Sequence, residues 1–442
     1  MAAEVPKVLV TGASGYIATH CIKQLLEGGK YAVRGTVRSV QKEDKVRPLR
    51  ELVASPAIPL ELVEADLLKK ETWPSAVEGC QYVLHVASPF VVNSPRDEME
   101  LIRPAVEGTR NVLNACAEAG VKRVVLTSSV AAVSVGPDGV RGHGDEPYSE
   151  DDWTPEGEGS AYYKSKTLAE RAAWDLLKEL PEEKRFELAV INPSYVQGPL
   201  LSKASGEASA SLLQTILGGQ LPGVPELNFS LVDVRDVAAA HIVAMEKPEA
   251  AGHRHILVAG NMWMKEVALL LQQEFQGQGY RIKTGRLPKF VMWIAGIFDP
   301  TARTAVKNIG KVVTYKTDRM QSVLGISPIP LQQTLIEMAH SLIQYGLVER
   351  KPGYSGPASK GGAEKPAESQ EQQEAKSQEE GQGKESQGKE KGQGKESQEE
   401  GQGKEEGQGK EGQEVGQEEE GQGKEEGQEE GQEEGQGKEG DV

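Results

Sequence analysis

The chain has 442 residues, with 50 Lys/Arg against 67 Asp/Glu and a formal net charge of −17. Most of that charge lies in an acidic, glutamine-rich C-terminal stretch that would repel phosphate backbones, so no nucleic-acid binding is expected, and three widely spaced cysteines with no CxxC pair exclude a disulfide framework and suit free thiols in a reducing compartment. The longest apolar run, Phe290 to Phe298, is too short to span a bilayer, and the start Met1-Ala2-Ala3-Glu4 has no charged and apolar leader, so a cytoplasmic chain with no membrane association is expected.

In chain order, Lys7 to Val10 is an apolar run that leads into Thr11-Gly12-Ala13-Ser14-Gly15-Tyr16-Ile17-Ala18, after which Ile17, Cys21 and Leu25 recur at helical spacing. Strand, glycine turn and helix in that order is the context a dinucleotide fingerprint requires. Gly12 would permit the tight turn, Gly15 the approach of a pyrophosphate, and Ala18 the close packing of helix on strand. The anion would rest on the helix N-terminus. The next run, Val33-Arg34-Gly35-Thr36-Val37-Arg38-Ser39, ends without an acid before Glu43. An NAD site wants a carboxylate there for the ribose 2′-hydroxyl, whereas cations suit a 2′-phosphate. Arg38 and Lys45 therefore point to NADP(H).

Tyr82 to Val86 and Arg123 to Thr127 are β-branched apolar runs alternating with helical segments, as a parallel doubly wound sheet demands. Ligands bind outside the carboxyl ends of such strands, where Ala87-Ser88-Pro89 and Ser128-Ser129 follow. A serine there either orients a carbonyl or caps a turn. Tyr162 and Lys166, in Tyr162-Tyr163-Lys164-Ser165-Lys166, stand four apart and so share one helix face. A neighbouring ammonium favours the phenolate and is expected to lower the tyrosine pKa, making Tyr162 a general acid with its tuner. Leu212, Leu213, Ile216, Leu217, Met262 and Trp263 are read as plain core in preference to a pocket lining. His253 and His255 match no metal spacing, so no metal is assigned.

Residues 351–442 carry 12 Lys/Arg and 26 Asp/Glu, a net −14, which leaves −3 for residues 1–350. This stretch repeats units such as Gly401-Gln402-Gly403-Lys404-Glu405-Glu406 and contains no Leu, Ile, Phe, Met or Trp. With nothing to bury it cannot offset the entropy of ordering, and a disordered tail from about Lys351 is expected, either a tolerated appendage or an arm for a protein partner.

These motifs together resemble the extended short-chain dehydrogenase/reductases, in the branch of dihydroflavonol reductases, cinnamoyl-CoA reductases and yeast methylglyoxal/ketone reductases. The resemblance spans nearly all of residues 5–347. It rests on Val10 to Gly15, Ala65-Asp66-Leu67, His85 to Pro89, Thr127-Ser128-Ser129, Tyr162 to Glu170, Asn192-Pro193 with Gly198-Pro199, and Val232 to Val237. It implies a Rossmann-type sheet, with a cofactor lobe mostly in residues 5–190 and an interleaved substrate lobe mostly in 198–228 and 259–350. It also implies NADP(H) and a small-molecule carbonyl substrate. Ser129 would orient the carbonyl, Tyr162 donate the proton, and Lys166 tune Tyr162 and hold the nicotinamide ribose. Asp66 and Leu67 would border the adenine and Pro193 the carboxamide. Thr11, Gly12, Ser14, Gly15, Tyr16, Ile17, Arg38, Lys45, Val86, Ala87, Ser88 and Val196 would complete the cofactor contacts. Two departures stand out: Ala105 occupies the position where many relatives carry a relay asparagine, and Ser160-Ala161-Tyr162-Tyr163 lacks the Asn-Trp-Tyr-Cys-type signature of cinnamoyl-CoA reductases, which argues against a CoA thioester. A nucleotide-sugar epimerase or dehydratase, a steroid dehydrogenase and an idle NADPH-binding protein stay open as alternatives, as do monomer and homodimer.

Overall fold

The main sheet grows from β1 (Lys7–Val10), whose Val8, Leu9 and Val10 are fully buried because helices cover both faces of a parallel sheet. A computed structural model describes residues 5–89, 97–135, 146–205, 210–298 and 300–357. In chain order the strands that follow are β2 (Ala32–Val37), β3 (Glu61–Glu64), β4 (Tyr82–His85), β5 (Arg123–Thr127), β6 (Glu187–Pro193), β7 (Tyr195–Gln197), β8 (Asn228–Asp233), β9 (Arg254–Leu257) and β10 (Gly260–Trp263). Seven of them form one parallel sheet, β3-β2-β1-β4-β5-β6-β9. The strand order reverses at β1, which pairs with β2 on one side and β4 on the other, and this switch point opens the crevice outside their carboxyl ends. A second, three-stranded sheet has the order β10-β8-β7.

The helices are α1 (Tyr16–Gly28), α2 (Glu43–Arg50), α3 (Trp73–Val77), α4 (Met99–Glu118), α5 (Ala161–Glu179), α6 (Ser211–Leu217), α7 (Val234–Glu246), α8 (Met264–Phe275), α9 (Lys289–Phe298), α10 (Pro300–Lys307), α11 (Asp318–Ser322) and α12 (Leu331–Gln344). Alternate residues of one strand enter opposite cores, as the two-residue side-chain period requires. Leu9, Val83, Val124 and Val190 pack with α3, α4 and α5, while Val8, Leu84, Val125 and Ile191 pack with α1 and α7. Ala18 is fully buried between helix and sheet.

The runs read as strands at Lys7 to Val10 and Arg123 to Thr127 form with those bounds, and the one at Tyr82 ends one residue early, at His85. Leu212, Leu213, Ile216 and Leu217 are core. All three cysteines are free and buried. Packed chain continues past position 350: the Lys351 amide lies 3.4 Å from the Tyr280 hydroxyl, and the Tyr354 hydroxyl 2.9 Å from His340 Nδ1. The remainder of the expected tail, residues 358–442, lies outside the described residues. Among the described residues no helix is long and apolar enough to cross a membrane.

Candidate functional site

The turn after β1 is held by backbone that only glycine tolerates. Gly12 has φ +68°, and a Cβ there would stand 3.0 Å from the Ala87 Cβ. Its amide donates to Thr36 Oγ1 at 2.9 Å, and the Ala87 amide donates to Thr11 Oγ1 at 2.9 Å. Thr11 Oγ1 also lies 2.9 Å from Nδ1 of His85, whose pKa burial, aided by the Lys166 charge, lowers to about 3. A neutral His85 and Thr11 thus stitch the carboxyl ends of β1 and β4, and the Gly12 amide joins β2 to them.

Helix α1 begins here with Gly15 as its N-cap, no side-chain cap and no acid in its first turn. Its leading amides are available to an anion, and the macrodipole favours one. Tyr16 is otherwise engaged: its hydroxyl donates to the Gly198 carbonyl at 2.6 Å, so only its backbone can serve a cofactor. Ser14 and Ile17 are half-buried at the same rim. Arg38, the first residue past β2, is exposed, and Lys45 lies in the first turn of α2; neither side chain forms an ion pair or hydrogen bond among the described residues. Asp66 and Leu67 follow β3, with Leu67 tight against Gly108 and its carbonyl accepting from Asn111 Nδ2 at 2.8 Å. Pro193 ends β6, and Val196, in β7, is part of the core. The uncapped helix, the glycine cradle and the two unpaired cations fit a dinucleotide with an extra phosphate.

The reactive groups gather one strand further along. Ser129, extended at φ −164°, accepts from the Ala131 amide at 3.1 Å, and its hydroxyl lies near enough to the Tyr162 phenol to favour the phenolate. Lys166 Nζ stands 5.9 Å from the Tyr162 ring centroid and donates to Ser88 Oγ at 3.0 Å, bridging the α5 face to the loop after β4. The expected lowering of the tyrosine pKa does not appear: burial raises it above its ordinary value, with only the Ser129 hydroxyl opposing. Lys166 points at Ser88, and helical spacing says nothing of the desolvation that raises the phenol. Burial brings Lys166 itself down to about 8, against the pull of Glu170. Ala105 is buried in α4, so that position offers no side-chain relay.

Ser128 and Ser129 part company. Ser128 Oγ donates to Glu170 Oε2 at 2.6 Å, away from Tyr162. Glu170, fully buried, also accepts from Asn192 Nδ2 at 2.8 Å and from Arg254 Nε at 2.6 Å, and Asn192 in turn donates to the Ser129 carbonyl at 3.2 Å. This network behind the site is what sequence reasoning missed. Its one local signal was an arginine opening the short, wholly buried strand Arg254–Leu257, which a buried counter-charge must answer.

The family model described as the NAD dependent epimerase/dehydratase family matches residues 8–260. The chain is 40% identical over 277 residues to cinnamoyl-CoA reductase CAD2 of Medicago truncatula, covering 60% of this chain and 80% of that one. It is 38% identical over 287 residues to the putative NADPH-dependent methylglyoxal reductase GRP2 of Candida albicans, covering 61% and 82%. Its fold is similar to the crystal structure of yeast methylglyoxal/isovaleraldehyde reductase Gre2 complexed with NADPH, with TM-score 0.63, 29% identity and coverage of 77% of this chain and 99% of that one.

Proposed function

The chain belongs to the NAD dependent epimerase/dehydratase family, and from that premise we propose that it reduces an aldehyde or ketone to the alcohol with NADPH. The observation that carries this reading is the placement of the buried Tyr162 phenol within the influence of the Ser129 hydroxyl at the carboxyl edge of β5, with Lys166 Nζ 5.9 Å from the Tyr162 ring centroid. Relatives named as NADPH-dependent reductases support it.

Ser129 holds the carbonyl oxygen where negative charge develops, and Tyr162 hands it the phenolic proton. A raised pKa keeps that proton in place until the oxygen becomes basic enough to take it. Lys166, cationic below about pH 8, then stabilises the phenolate, and together with Ser88 it would hold the ribose of a bound cofactor. Bound NADPH supplies the hydride to the carbonyl carbon. The amides opening α1 would hold the pyrophosphate, Arg38 and Lys45 the 2′-phosphate, Asp66 and Leu67 the adenine side, and Pro193 and Val196 the nicotinamide side. Residues 5–190 form most of the cofactor lobe, and 198–228 with 259–350 most of the substrate lobe. The three buried free thiols suit the reducing cytoplasm.

NADPH oxidation by the purified chain, measured against aldehydes, diketones, flavonoid ketones, steroids and cinnamoyl-CoA, tests this reading. Turnover is expected with simple aldehydes or ketones and not with the thioester. Tight NADPH binding without turnover across the panel would replace it with a non-catalytic role, and NAD-retaining turnover of a nucleotide sugar with an epimerase.

A further inference from the structure

Helix α9 turns four large apolar side chains to solvent: Phe290, Trp293, Ile294 and Ile297 are 65, 63, 48 and 53% exposed. Their i, i+3, i+4, i+7 spacing defines one helix face. The opposite side is spent on folding, since Met292 joins Leu287 and Ile309 in a small core. The helix is also rigidly mounted. A Cβ on Gly296 would lie 3.0 Å from Arg303 Cα in α10, and Arg303 donates to the Gly296 and Ile297 carbonyls at 2.8 and 3.1 Å. A contiguous apolar face of this kind on a folded helix marks an interaction surface.

The charge around it is mostly positive, although Arg286 is paired with Glu226 at 2.7 Å. Residues 281–316 hold eight Lys/Arg and one Asp, a net +7, within residues 1–350 whose total is −3. Lys289, Arg303, Lys307 and Lys311 are exposed on and beside the two helices. Three occupants can be weighed against that chemistry. The tail, residues 351–442, has the opposite charge but no Leu, Ile, Phe, Met or Trp, so it can neutralise the cations and cannot desolvate the face. A second copy would set this basic segment against its own like charge. An anionic bilayer supplies both an apolar phase and negative charge.

We propose that α9 is an interfacial membrane helix, lying in the headgroup layer of anionic phospholipid with its apolar face buried to about 5–10 Å and its flanking cations on the lipid phosphates. Ten residues cannot cross a bilayer, but lying in its plane needs no such length. The proposal does not rest on the reductase reading.

Flotation of the full chain with vesicles of phosphatidylcholine mixed with phosphatidylserine, and of phosphatidylcholine alone, tests it. At low salt the mixed vesicles should carry at least about tenfold more protein, and high salt should release it. Trp293→Ser with Ile294→Ser should abolish flotation, and Lys289→Glu with Lys307→Glu should remove the preference for anionic lipid. Both variants alter exposed positions and should keep the parent melting temperature. The proposal is overturned by no flotation of the full chain, by equal flotation with both vesicle types, by flotation that neither variant reduces, or by a solution dimer that Trp293→Ser dissolves while vesicles bind nothing.

Discussion

Arg254 Nε donates to Glu170 Oε1 at 2.6 Å in the protein interior, tying the last strand of the main sheet to the helix that carries Tyr162 and Lys166. The pair also fixes the serine loop, because Glu170 accepts from Ser128 and from the Asn192 that holds the Ser129 carbonyl. Removing one partner of a buried ion pair strands the other charge, at about 3–5 kcal/mol. Arg254→Met should therefore lower the denaturant midpoint strongly. A double replacement, Glu170→Leu with Arg254→Met, should regain much of that stability but little turnover, since Ser128 and Asn192 still lack their acceptor. Full recovery of turnover in the double variant would show that the pair does not position Ser129.

Arg38 stands exposed and unpaired past β2, with Lys45 a turn away. A charge-assisted hydrogen bond contributes about 1.5–3 kcal/mol, or roughly ten- to a hundredfold in affinity. Arg38→Ala should raise the KM for NADPH by that factor and leave the KM for NADH nearly unchanged. Parallel changes for both cofactors would place the 2′-phosphate elsewhere.

Much of the cofactor cradle was legible because it is local. The tight turn at Gly12 and Gly15 arises within a few residues of chain, although the close approach of Ala87 to Gly12 does not, and an acid-free end to β2 is read directly. In the sequence only the resemblance separates Ser129 from Ser128; in the structure Ser128 Oγ donates to Glu170 while Ser129 Oγ accepts from the Ala131 amide. Arg254 and Glu170 were not legible as a pair, since 84 positions separate them and only the order of β6 and β9 brings them together. The direction of the Tyr162 pKa was misjudged because spacing reports a neighbouring charge and not the desolvation around it.

Lys166 should mark the alkaline limit of activity. Its pKa is lowered to about 8 by burial, so it is charged below that pH and loses its charge above it. The profile of kcat/KM for carbonyl reduction should be level up to about pH 8 and fall beyond. Glu170 opposes the shift, so Glu170→Gln should move the break to lower pH. An unmoved break would sever the electrostatic link between the two.

Acid should unfold the chain through its histidines. Burial lowers His20, His241 and His255 to about 4 and His85 to about 3, so the unfolded chain binds more protons below about pH 6.5 and stability falls as pH drops towards 4. Each contributes a slope of up to about 1.4 kcal/mol per pH unit. Asp236, raised to about 6 by burial, works in the opposite sense and offsets one of them. Melting curves across this range should show the decline, and His85→Gln should make it shallower.

The most direct test is single-turnover NADPH oxidation by Tyr162→Phe beside the parent chain, each with a carbonyl substrate that the parent reduces. The phenyl ring keeps the packing and loses only the hydroxyl with its proton, so NADPH should bind with near-parent affinity while oxidation falls by about three orders of magnitude or more. Near-parent turnover by Tyr162→Phe would contradict the assignment of Tyr162 as the proton donor.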